Sequence, residues 1–333
     1  MTDPATGQRS LIQALKVPFD LGGVALGALA FLVMTWGARL IGVETSPFAW
    51  LGGLGPTGGG LSSLGFVRGS VLPLLLLQLA VTAVLGVAMC RIAAMRLARD
   101  EGVPLGEALA FSVGNIASSI GAFAFMAGAI LLFYSCNALA GLASGIPGVG
   151  PLLMVVLFPL VLLSTLVLFL LLFGSALGLP LAVASLAVER NGPLDAVSRG
   201  FSYVFSRPAL FFLYALTVWF LASVLVASAF AMEELAAWSF THWFPAKDSW
   251  RDLADATGRA LRAVAATRMP DFTGAGGSSA LGGWIAWIGG VVLHLALMGW
   301  VVYYAFGGAT AAYFALRRDV DGTEDEEIWV EGE

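Results

Sequence analysis

The chain has 333 residues, of which 59% are hydrophobic and only 12% charged, with a formal net charge of −5. Soluble domains carry roughly 25% charged residues, so the composition excludes an ordinary water-soluble fold. The acidity resides in the last stretch, DVDGTEDEEIWVEGE, and there is no basic patch with interleaved aromatics, which excludes a nucleic-acid partner.

From Ala108 to Val188 there is no Asp, Glu, Lys, Arg or His. Hydrocarbon tolerates such a run, whereas a charge at a helix centre costs roughly 2.5–3.5 kcal/mol there. The run is too long for one crossing, since about 20 apolar residues suffice. The pattern predicts an all-α, polytopic membrane protein.

Taken in order, the apolar runs predict six transmembrane helices. Ser10 to Asp20 is an amphipathic stretch with Lys16 in it and Arg9 before it, and it leads into the first span, Leu21 to Val43. That span is expected to act as an uncleaved signal anchor rather than a removed signal peptide. The second runs from Gly69 to Cys90 and continues helically to Arg99, and the third from Ile116 to Leu142. A Gly-Pro turn, SGIPGVGP, leads to the fourth, Pro151 to Val188, which at 1.5 Å per residue would be about 57 Å long and so must tilt, protrude or bend, with Pro159 and Pro180 as bend points. Pro208 to Met232 is the fifth, and the sixth lies within Ser279 to Leu316.

Short-loop cations set the orientation. Arg9 and Lys16, then Arg91, Arg96 and Arg99, then Arg190, Arg199 and Arg207, and finally Arg317 and Arg318 fall on one side. The short loops opposite hold Arg68, with Arg39 at a helix end. Both termini are therefore expected in the cytoplasm.

A threefold pattern runs through the chain. Each odd-numbered span follows a short amphipathic elbow: SLIQALKVPFD from Ser10, PLGEALAFSVGN from Pro104 and PLDAVSRGFSYVF from Pro193. Each even-numbered span runs out through charged residues to a turn carrying Gly102, Gly192 or Gly322, where glycine suits a left-handed helix end. The reading is one membrane domain over residues 1–320, built of three elbow-plus-hairpin units (10–103, 104–192 and 193–320), followed by an acidic tail, 321–333, expected to be disordered.

The elbows Glu107-Ala108-Leu109 and Asp195-Ala196-Val197 and the ending YFALRR, Tyr313 to Arg318, resemble a broad group of bacterial multi-pass proteins. These are similar to the membrane domain attached to some glycerophosphodiester phosphodiesterases. The resemblance implies a bacterial cytoplasmic (inner) membrane location. It does not bring the phosphodiesterase reaction, because the catalytic barrel of such enzymes needs about 200 residues of alternating strands and helices, and no segment of that kind is present.

Residues 233–279 form the one sizeable polar excursion, an outer insertion. Within it DSWRDLADATGRALRAVAATR predicts an amphipathic helix capped at Asp248 or Ser249, with Trp238, Trp243 and Trp250 as interfacial anchors. The Gly-rich first outer loop, ETSPFAWLGGLGPTGGGLSSLG, lacks the Lys-Ser/Thr that phosphate binding needs.

Polar residues inside the spans are the default pointers to function. Gln78 and Asn137 are candidate interhelical contacts, and His294 in the sixth span is a candidate contact or proton relay without an acidic partner in any span. Gly-x-Ser-Gly and His-x-x-Gly of rhomboid-type proteases are absent, as is H-E-x-x-H. Cys90 and Cys136 are expected to be free, packing residues. Neither a catalytic constellation nor a metal or cofactor set is predicted.

Small residues such as Gly174 with Gly178, and Gly307-Gly308 followed by Ala309, allow close helix approach. The leading expectation is a non-enzymatic integral-membrane scaffold or accessory subunit that binds membrane lipid or a membrane-protein partner through such faces. The alternative is a transporter or channel for an apolar or lipid-like solute. Ile328, Trp329 and Val330 in the acidic tail are a candidate docking peptide for a partner.

Overall fold

A computed structural model describes residues 20–41, 71–242, 256, 259, 269–272, 277–324 and 327–329. The described residues are helical, with no strand among them. The helices are α1 (Leu21–Leu40), α2 (Val71–Val81 and Val87–Arg99, joined by a π turn at Thr82–Gly86) and α3 (Leu105–Gly114). Then come α4 (Ile116–Ser144), α5 (Gly150–Glu189), α6 (Pro193–Ser206), α7 (Pro208–His242) and α8 (Gly277–Asp321). Six of them, α1, α2, α4, α5, α7 and α8, are long and apolar enough to cross a bilayer. The chain is an all-α, multi-pass membrane protein.

The spans start and stop close to where the apolar runs do. The first ends earlier than Val43, at Leu40, and the sixth is longer than Ser279 to Leu316. α5 stays one helix from Gly150 to Glu189 with Pro159 and Pro180 inside it. Each proline removes one backbone hydrogen bond, which the neighbouring turns carry. At 1.5 Å per residue α5 is about 60 Å long, twice the hydrocarbon core, so part of it stands outside the hydrocarbon. The elbow from Ser10, the first outer loop and the outer amphipathic helix fall outside the described residues, apart from Asp20, Ala256 and Arg259.

The helix ends depart from expectation in an instructive way. The left-handed residues that close α2 and α5 are Asp100 (φ 56°) and Arg190 (φ 53°), not the glycines two positions later. Only at α8 does the glycine itself, Gly322 (φ 69°), take that geometry. A left-handed non-glycine residue costs roughly 1–2 kcal/mol. At Arg190 the cost is offset by a bond from its N–H to the Leu186 carbonyl and by its stacking on Trp329.

The chain forms two compact units. Of the described residues, unit 1 contains those from 71 to 216 and from 306 onward. In it α4 and α5 form a hairpin, and α5 crosses α6 at Gly178 and Gly200, where a Cβ on Gly200 would fall 2.5 Å from the Gly178 carbonyl oxygen. α6 buries Ala196, Val197, Gly200, Tyr203 and Val204, one face at helical spacing. The main core of unit 1 gathers Met95, Leu181, Val188, Tyr203, Tyr313 and Leu316, from α2, α5, α6 and α8. The π turn of α2 frees carbonyls that the Ser112 hydroxyl of α3 reaches at Ala83 and Val84.

Unit 2 contains residues 18–65 and 217–305. The Asp20 carboxylate caps α1 by accepting from the Gly23 N–H at 3.0 Å. α1 and the first part of α8 run antiparallel, with Gly23 against Tyr303, Gly27 against Gly299 and Phe31 against His294.

Candidate functional site

The charges of unit 1 converge where α2, α5 and α8 end. Glu189, the residue that closes the uncharged run, lies in the last turn of α5 and is nearly buried, its side chain 11% exposed. Its Oε1 accepts from Arg199 Nη1 and from the Tyr313 hydroxyl, both at 2.7 Å, and lies 3.0 Å from Arg317 Nε. Its Oε2 accepts from Asn191 Nδ2 at 2.7 Å. The carboxylate thus accepts three hydrogen bonds, from Asn191 just after α5, from α6 and from α8, and pairs with the Arg317 charge beside it.

A second layer surrounds this one. The Ser185 hydroxyl accepts from Asn191 Nδ2 at 3.1 Å and lies 3.3 Å from the Tyr313 hydroxyl, whose one proton goes to Glu189. The Tyr203 hydroxyl donates to Asp321 Oδ2, and Arg199 lies 3.8 Å from the same oxygen. Burial, and then that hydrogen bond, push the Tyr203 phenol well above its usual range. Burial works against the charge of Arg199, but Glu189 and the two tyrosines outweigh it and raise its pKa.

The tail closes the assembly. Where composition suggests a disordered segment, residues 327–329 lie against unit 1: Ile328 is 7% exposed, and the Trp329 N–H donates to the Val188 carbonyl at 2.9 Å. Buried Arg91 of α2 donates to the carbonyls of Ala187 (3.1 Å) and Trp329 (2.8 Å). Its guanidinium also sits 4.6 Å from the Phe111 ring centroid, while Arg190 sits 4.4 Å from that of Trp329. Arg317 Nη1 donates to the Glu327 carbonyl at 2.9 Å. The physical reason is that an apolar Ile-Trp pair inside an acidic tail can bury itself on a surface whose exposed groups are arginines.

An open polar cleft of about 680 Å³ lies beside the knot, bordered by Asn191, Ser198, Arg199, Ser202, Asp321 and Thr323. Each charge the cleft shares with the knot already holds an opposite charge or a carbonyl. Such an arrangement fixes helix ends relative to one another.

The other sequence candidates lie apart from it. Asn137 of α4 donates through Nδ2 to the Thr165 hydroxyl of α5 at 3.2 Å, an interhelical bond. Gln78 is exposed on α2 and bridges no helix pair, because an amide at that register faces outward. His294 is 5% exposed and meets the edge of Phe31 at 5.5 Å between ring centroids. It borders an apolar cavity in unit 2 whose lining includes no carboxylate. Ile328 and Trp329 dock on their own chain, and Val330 lies outside the described residues. Cys90 is buried and Cys136 exposed, and both are free thiols. Among the described residues no group of three or more His, Cys, Asp or Glu could hold a metal ion.

Sequence reasoning missed Glu189, Arg91 and Arg317 as a set. The available signal was positional: each is a charge at the edge of an apolar helix, and Glu189 and Arg91 abut residues too apolar for a solvated face. No family model matches the chain, and neither a curated protein nor a solved structure matches it.

Proposed function

We propose that this protein is a non-enzymatic integral-membrane scaffold or accessory subunit that binds lipid or a membrane-protein partner. The observation that carries this is the surface of α5 between Leu152 and Phe173. Its half-buried positions are Leu153, Met154, Leu157, Val161, Ser164, Val167, Leu168 and Leu171, essentially one narrow stripe facing α4. Val155, Val156, Phe158, Leu160, Leu162 and Leu163 are all more than half exposed and point around the rest of the helix. A span whose most apolar window is only 6% buried offers most of its circumference to whatever surrounds it.

The charged groups support the same reading, because Glu189 pairs with both Arg199 and Arg317 at the edge of the polar cleft. In the proposed topology the elbows and the ends of α2, α5 and α8 face the cytoplasm of a bacterial cell, with both termini there. The left-handed closures at Asp100, Arg190 and Gly322 support three related units. Transport of an apolar or lipid-like solute is the second reading, favoured by the cavity beside His294.

The test is photo-crosslinking in native membranes from Val156 or Leu162, with Val183 as the buried control. A stoichiometric membrane protein captured from the exposed positions and not from Val183 supports a subunit. Crosslinks to lipid alone from every exposed position sink the partner half of the reading and leave the lipid half.

A further inference from the structure

The cavity in unit 2 has a graded chemistry. α1 and α8 touch backbone to backbone at Gly27 and Gly299, where a Cβ on Gly27 would fall 2.1 Å from the Gly299 carbonyl oxygen. Larger side chains take over past Phe31 and His294, and about two turns beyond the glycines they enclose a cavity of about 400 Å³. That is within the roughly 300–1,000 Å³ of small-molecule sites.

Its inner end is dry: Phe31 and His294 are 4% and 5% exposed, with Val291 and Leu295 beside them. Its other end carries Trp36 and Trp287 and then Arg39, in the last turn of α1. Eight residues separate Phe31 from Arg39, about 12 Å along the helix. Arg39 is exposed, with its guanidinium 5.8 Å from the Trp36 ring centroid. Leu32 and Trp36, 38% and 55% exposed, leave the side of the cavity accessible from the hydrocarbon.

An apolar slot with an aromatic wall and a cation at its rim fits an amphiphile with an anionic head. A guanidinium presents a planar fork of donors that matches a phosphate, and the volume suits one hydrocarbon chain. We propose that unit 2 binds an acidic phospholipid, with one acyl chain in the cavity beside His294 and its phosphate at Arg39. The second chain stays in the bilayer. The proposal deepens the lipid half of the scaffold reading and rests on that half alone; a protein partner on α5 leaves it untouched.

The full-length protein, reconstituted in vesicles of equal phosphatidylglycerol and phosphatidylcholine, is extracted in mild detergent and its retained lipid counted by native mass spectrometry. Wild type should retain phosphatidylglycerol stoichiometrically and over phosphatidylcholine by about fivefold, the size of one arginine's attraction to an acidic leaflet. Arg39→Gln should bring that preference close to parity with lipid still bound. Leu295→Trp, which fills the slot, should abolish retention while the melting temperature stays near wild type. If that variant does not fold, Val291→Phe replaces it. Retention without headgroup preference, or unchanged by either filling variant, overturns the cavity site and leaves a protein coated with annular lipid. No retained lipid at all overturns both the site and the lipid half of the scaffold reading.

Discussion

The two halves of α5 are both uncharged and apolar, and they meet opposite surroundings. From Leu152 to Phe173 the helix is built of Leu, Val and Phe and is mostly exposed. From Gly174 to Val188 it reads GSALGLPLAVASLAV, and Leu181, Ala184, Leu186 and Val188 are at most 2% exposed. Lipid tails are as apolar as leucine, so hydrophobicity gives a membrane helix no reason to prefer protein over lipid. Side-chain size decides instead. Gly174, Gly178, Ala182 and Ser185 let α6 and α8 approach, and close approach brings Glu189 within reach of Arg199 and Arg317.

The largest expected break in that contrast comes from the knot. Glu189→Ala leaves Arg317, 8% exposed, beside no carboxylate, and removing one partner of a buried pair costs about 3–5 kcal/mol. A loss of that size should appear in detergent unfolding, and a double-mutant cycle with Arg317→Met should recover part of it. A cost under about 1 kcal/mol, the range of exposed pairs, would mean the knot does not hold the helix ends.

Packing comes next. Gly200→Val pushes side-chain atoms into the Gly178 carbonyl and should cost about 1–3 kcal/mol as an overpacked contact. Gly128→Ala meets nothing within 4 Å and should be neutral or stabilising by about 0.4–1 kcal/mol. Equal melting temperatures for the two variants would contradict the size argument.

Trp329→Ala removes the ring that Arg190 and Arg91 face, and cation–π contacts are worth about 0.5–2 kcal/mol each. The expected readout is faster proteolysis of the tail with a modest fall in melting temperature. Leu162→Ala, on the exposed half, should stay within about 0.5 kcal/mol of wild type.

Tyr203 gives a pH signature. Burial and its bond to Asp321 raise its pKa above the unfolded value of about 10. The folded state therefore favours the neutral phenol. Its contribution is complete below pH about 10 and is lost as pH rises further. Tyr203→Phe should flatten stability above that pH; an unchanged alkaline profile would assign the loss to other groups.

The positions of the spans were legible because a bilayer imposes length and apolarity on every crossing, whatever its neighbours. The interhelical role of Asn137 was legible for a related reason, since an amide in hydrocarbon needs a partner. Gln78 shows the limit of that reasoning, being exposed on α2. The glycines after α2 and α5 were read as the left-handed caps, yet Asp100 and Arg190 take that role, each closing its own helix, and Arg190 also stacks on Trp329 from the tail. Ile328, Trp329 and Val330 were read as a docking peptide for a partner, whereas Ile328 and Trp329 lie against their own chain.

Sequence alone determined that the protein crosses a membrane several times, where the crossings fall and which residues are polar within them, since these follow from the free energy of each segment in hydrocarbon. Only the tertiary structure decided which apolar faces are packed, that Glu189, Arg199 and Arg317 share one knot, and that α1 and α8 enclose a cavity between Arg39 and His294. Those depend on steric fit and on charge pairing between residues far apart in the chain, and neither leaves a periodic trace in the sequence.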